Sequence, residues 1–190
     1  MSRIITYGFF GEDEAQRNFL AHYFSRQFPD TFLEDNTFRW RIKVGNRDQV
    51  DAFLPEALLQ KAKVGLELLV VGRDVDTEHE PTIRARRAHF GTVCKHHQPV
   101  VLMLPVQCVE HWLWYIKRRQ EEPGKNTPLE SKLRPEAKSA VYAGSRVVET
   151  QLQKANVILA NLDVAWLESR SESFRHFHNQ VVAFLKAYTT

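Results

Sequence analysis

Apolar positions along the chain follow two periods, and the change from one to the other divides it into elements. Ile4 to Phe10 is a dense apolar and aromatic run that ends at Gly11. The Glu12-Asp13-Glu14 triplet follows, and then Phe19, Leu20, Tyr23 and Phe24 recur at helical spacing, which predicts strand, turn and helix. Phe38, Trp40, Ile42 and Val44 alternate with Arg39, Arg41 and Lys43, a period of two that predicts an edge or antiparallel strand with one positive face. Pro55 suits the first turn of a helix carrying Leu58 and Leu59 and closed by Gly65. Leu66 to Val71 and Val100 to Leu104 are unbroken aliphatic runs of buried-strand type, and Glu80-Pro81 opens a helix between them. Val109 to Gln120 places Trp112, Leu113 and Ile116 on one stripe before Pro123-Gly124. Beyond a polar, turn-rich stretch reaching Pro135, the apolar residues return only at helical spacing, ending with Val181, Phe184, Leu185 and Tyr188.

Strands that alternate with helices, followed by a helical tail, predict an α/β fold of Rossmann-like type: a mostly parallel central sheet flanked by helices, with a helical C-terminal extension. The expected organisation is an α/β core over 1–120, a polar loop over 121–135 and helices over 136–190 packed on the same domain. The length of 190 residues suits one core, and 43% hydrophobic with 26% charged residues is an ordinary globular balance. No apolar run approaches the ~20 residues of a bilayer span, and the N-terminus has no signal-peptide architecture. The expectation is a soluble cytoplasmic protein, with Cys94 and Cys108 as reduced thiols. A net charge of +3 permits a polyanionic partner without requiring one.

In parallel α/β sheets ligands sit beyond the carboxyl ends of the strands, and three expected strand ends carry acids: Glu12, Asp13 and Glu14; Asp74 and Asp76; and Glu110. If the strands are neighbours, these carboxylates converge, and converging carboxylates call for a hard divalent cation. The alternative is that Asp13, Asp74 and Asp76 cap helix starts, each accepting free backbone N–H groups.

Gly11-Glu12-Asp13-Glu14 with Phe19-Leu20, and Leu69-Val70-Val71-Gly72-Arg73-Asp74-Val75-Asp76, resemble the two signature segments of the Toprim (topoisomerase–primase) superfamily. Pro105 with Glu110-His111-Trp112-Leu113, Pro135-Glu136-Ala137-Lys138, and Ser171 to Phe177 resemble small stand-alone bacterial Toprim-like proteins related to the OLD-nuclease group associated with phage defence. The resemblance implies a sheet whose acids hold Mg²⁺ or Mn²⁺ for phosphodiester cleavage. Asp74, Asp76 and Glu14 would be the metal ligands, Glu12 or Glu14 the general base, and Glu110 a further ligand or orienting acid. The pattern is departed from at Phe10, where the family has its glutamate, and at Gly72, where it has its first aspartate-segment acid. These departures support a second expectation, a non-catalytic Toprim-like subunit that engages a partner such as an ATPase. A small-molecule phosphohydrolase is a third.

Arg84, Arg86 and Arg87, and Lys117, Arg118 and Arg119, follow the acidic segments where nucleic-acid phosphates would pass, and Lys138 could meet a phosphate or a site carboxylate. The simpler reading makes them solvated helix faces. Cys94, His96, His97, Cys108 and His111 fit no usual zinc spacing. Ser171 is expected to cap the last helix, and Trp112 and Trp166 to be core residues.

Overall fold

The computed structural model describes residues 4–38 and 41–188. The chain runs β1 (Ile5–Gly11), α1 (Glu14–Gln27), β2 (Phe32–Glu34), α2 (Arg47–Val64), β3 (Leu68–Gly72), α3 (Glu80–Cys94), β4 (Val100–Met103), α4 (Glu110–Glu121), α5 (Arg134–Tyr142), α6 (Val148–Leu159), α7 (Val164–Arg170) and α8 (Glu172–Tyr188). Among the described residues the strands form one parallel sheet in the order β2-β1-β3-β4, the α/β arrangement that the alternating periods predict.

Strand periodicity sorts the core into two halves. Ile5, Tyr7, Phe9, Leu68, Val70, Val101 and Met103 face α1 and α4 to α8, whereas Phe10, Leu69, Val71, Val100 and Leu102 face α2 and α3. The first half is thick and aromatic. Trp112 packs on Phe19 at 5.1 Å and stacks on Phe177 at 5.8 Å, and its indole N–H donates to Ser173 at 2.8 Å, so this tryptophan is core as expected. Ser171 caps α8 through its hydroxyl, which accepts from Phe174 N at 3.0 Å. On the outer strand, the Gln180 side chain from α8 accepts from Leu102 N at 2.9 Å and donates to Leu102 O at 3.0 Å.

Because α1 and α2 lie on opposite faces, the chain reverses its direction across the sheet at β1 and β3. That reversal opens a crevice at their carboxyl ends. Gly11 and Gly72 sit opposite one another there.

Two expected elements differ. The alternating segment from Phe38 to Val44 forms no strand among its described residues; Arg39 and Trp40 lie outside them. The strand in this region is β2, which stops when Asp35 accepts from Thr37 N at 2.8 Å and turns the chain. Ile42 and Val44 still pack on the α2–α3 side, so their period-two burial survives without a ladder to hold it. Pro55 lies in the middle of α2 rather than in its first turn. The helix begins earlier because Asn46 caps it, accepting from Gln49 N at 3.0 Å; it ends as expected at Gly65, whose φ of 69° is left-handed. No helix among the described residues is long and apolar enough to cross a membrane.

Candidate metal centre

Beyond β3 and β4 the two loops continue side by side. Arg73 N donates to Met103 O at 3.0 Å, Val75 N to Pro105 O at 2.9 Å and Thr77 N to Val106 O at 3.2 Å. These bonds lock the Asp74 turn against the segment that leads to Cys108 and Glu110. From the other side, the Glu12 carboxylate accepts from Asp74 N at 2.6 Å, tying the end of β1 to the end of β3. Asp13 does cap α1, accepting from Gln16 N at 3.0 Å. Asp74 and Asp76 cap nothing: α3 begins at Glu80, after His79. The capping alternative therefore holds for Asp13 alone, and Asp76 adopts a left-handed φ of 59°, a conformation Asp tolerates better than most residues.

Asp74 is fully buried and Glu110 is 2% exposed. One Asp74 oxygen accepts from the Gln16 amide at 2.8 Å. The other, Oδ2, and Glu110 Oε2 are buried and accept no hydrogen bond. A ligand oxygen of each, together with Cys108 Sγ, lies within 4.8 Å of the others. A buried carboxylate oxygen without a donor is costly unless a proton or a cation meets it. Burial, with Glu12 and Glu110 nearby, pushes the Asp74 carboxyl well above its ordinary value. Burial and the neighbouring Asp76 also raise Glu12 from an ordinary 4.5 to about 7.

Cations ring this cluster on its solvent side. Arg134, at the start of α5, comes within 3.2 Å of Asp74 Oδ2 and also pairs with Asp76. Lys138, one turn further along, is 3.5 Å from Glu110, so it meets a site carboxylate. Arg47 donates to Asp76 at 3.1 Å. Arg73 is buried beneath, clasped by Asp51 at 3.0 and 3.2 Å. Cavities of about 320 and 290 Å³ open beside Glu12 and Asp13, the second also bordered by Arg47 and Arg134.

The sequence-predicted residues thus separate. Glu12, Asp13, Asp74, Asp76 and Glu110 converge with Lys138, whereas Glu14 turns along α1 and pairs with Arg17 at 3.4 Å. Arg84 pairs with Glu80 on exposed α3, and Arg87 lies near His176 of α8. Lys117 donates to Ala140 O at 2.7 Å, and Arg118 lies over the Trp114 ring at 5.4 Å while donating to Thr127 O at 3.2 Å. These contacts of Arg84, Lys117 and Arg118 fix helices and loops.

Sequence reasoning missed Gln16, Arg134 and Cys108. Asp13-x-x-Gln16 has the spacing of a capping box, which could have flagged Gln16; its Oε1 instead accepts from Glu12 N at 3.2 Å. Arg134 precedes Lys138 by four residues, the spacing that puts two side chains on one helix face. Cys108, grouped in sequence with cysteine and histidines, meets carboxylates instead, and Cys94 lies on the opposite side of the sheet. No protein-family model, curated protein or solved structure matches this chain.

Proposed function

We propose that the chain is a divalent-metal-dependent phosphodiesterase acting on nucleic acid, with its centre at the ends of β1, β3 and β4. The pair of buried, hydrogen-bond-free carboxylate oxygens on Asp74 and Glu110 carries this reading. A bound Mg²⁺ or Mn²⁺ would supply Lewis-acid stabilisation of phosphoryl oxygens, with Asp74 and Glu110 as ligands and Asp76 on the solvent side of the same cluster. Glu12, raised to about 7, suits the transfer of a proton from an attacking water at neutral pH. Arg134, Arg47 and Lys138 provide the positive rim that phosphate oxygens require. The resemblance to Toprim-like nucleases points to the same chemistry, and to a place in phage defence.

A second reading, a non-catalytic subunit binding a partner such as an ATPase, is favoured by one specific observation. At Gly72, where the Toprim pattern has an acid, an added Cβ would lie 2.6 Å from Gln16 Oε1 and 2.8 Å from the Phe9 ring, so that position has no room for a carboxylate.

The test is cleavage of labelled single- and double-stranded DNA and RNA with Mg²⁺ or Mn²⁺, comparing wild type with Asp74→Asn and Glu12→Gln. Asp74→Asn keeps the shape of the side chain and an acceptor for the Gln16 amide, so it should still fold while losing at least about a hundredfold in rate. Full activity in Asp74→Asn would overturn the assignment of the centre. Absence of wild-type cleavage on every substrate would leave the partner-binding reading.

A further inference from the structure

Resting on the reading that this centre binds a divalent ion, we infer that Cys108 is one of its ligands, so that the site takes a transition ion of the Zn²⁺ kind in preference to Mg²⁺. Cys108 is fully buried, and its sulfur belongs to the same 4.8 Å group as the Asp74 and Glu110 oxygens. Each of those two carboxylates carries a buried oxygen without a hydrogen bond, and Asp74 Oδ2 faces the Arg134 guanidinium at 3.2 Å. The donor set is therefore two oxygens and one sulfur. Mg²⁺ prefers an all-oxygen octahedron, whereas a thiolate selects softer ions, and three protein ligands with a remaining open position is the arrangement of catalytic zinc sites.

His111 braces Cys108 from behind. Its Nε2 is 2.9 Å from Lys132 O, which ties the ring to the segment before α5. Its Nδ1 lies 3.3 Å from both Cys108 Sγ and Cys108 O, so the ring braces the turn that carries the sulfur. Ligation replaces the sulfur–hydrogen bond by a sulfur–metal bond; the proton leaves to solvent, and nothing is oxidised or reduced. His111 is a positioning residue, held on α4 one turn beyond Cys108, and it touches no metal.

Co²⁺ serves as the probe, because a thiolate ligand gives it an intense sulfur-to-metal charge-transfer band in the near ultraviolet. Titration of the full-length, metal-stripped chain should produce that band. Zn²⁺ should abolish it, and about a hundredfold excess of Mg²⁺ should not. Cys108→Ser should lose the band and weaken Co²⁺ and Zn²⁺ binding by at least about tenfold while leaving Mg²⁺ binding unchanged. Cys108→Ala, small and apolar enough for the same buried position, gives the same readout if the serine variant does not fold. Co²⁺ binding without the band, or binding unchanged in both variants, overturns the role of Cys108 and leaves the oxygen site standing. If neither Co²⁺, Zn²⁺, Mn²⁺ nor Mg²⁺ binds the wild type, this inference and the metal-dependent function fall together.

Discussion

Gly72 shows how a single missing side chain shapes the centre. The Phe9 ring and the Gln16 amide fill the space above the ends of β1 and β3, and from there Gln16 reaches both the Glu12 backbone and the Asp74 carboxylate. A methyl group at Gly72 would strike both neighbours. Gln16 ends a flexible chain and can retreat, but Phe9 is packed in the core. Gly72→Ala is expected to cost about 1–3 kcal/mol in denaturant unfolding. It should also weaken metal binding, because Gln16 would be driven from Asp74; an unchanged unfolding midpoint would refute this packing role. The acids of the strand ends were legible in the sequence because aliphatic runs and parallel connectivity fix where strands stop. Their sorting into Glu12, which meets Asp74, and Glu14, which faces Arg17, depends on where Asp13 caps α1. That is a one-residue choice invisible to periodicity.

At the scale of elements, α2 carries an interior proline. Pro55 is exposed and lacks the N–H that would bond the carbonyl of Asp51, the residue whose carboxylate clasps Arg73 and Arg86. Replacing it with alanine restores a helical donor and relieves the ring's clash with that carbonyl. Pro55→Ala should therefore stabilise the chain by about 1–3 kcal/mol, read as a raised thermal midpoint. A lowered midpoint would mean that the bend at Pro55 is needed to bring Asp51 to Arg73. The early start of this helix was hidden because the sequence offered proline as a start signal, while the stronger one, the Asn46 cap, sat nine residues before Pro55. The stretch from Phe38 to Val44 shows the complementary case. Alternation reports which side chains are buried, but a strand also needs a neighbour for its backbone, and β1 is already paired to β2 and β3. Arg134 and Lys138 on α5 were legible only in part, because a cation's partner is a tertiary fact.

For the whole molecule, the acidic centre links folding to pH. Glu12 titrates near 7 in the folded chain against an ordinary 4.5, so between these values the folded state keeps a proton that the unfolded state has released. Stability from this group is therefore lost as pH rises through that window, and burial of Asp74 acts in the same direction. The histidines whose affinity for protons burial lowers, His111, His176 and His178, act below their ordinary 6.5 and oppose the trend only there. Between pH 6.5 and 8 the metal-free chain should lose about 1 kcal/mol, roughly 3 °C in thermal midpoint. A saturating divalent ion should cancel that loss by holding the carboxylates ionised; a metal-free midpoint that climbs over this range would contradict the placement of these acids.

At the outer edge of β4, the Gln180 amide offers Leu102 the acceptor and donor that a neighbouring strand's peptide group would offer. An open parallel edge invites another chain to extend the sheet, and with it fibrous growth. Here a helix lends one side chain as a counterfeit strand, so at that point the sheet terminates within its own chain and offers no free rung to a stranger.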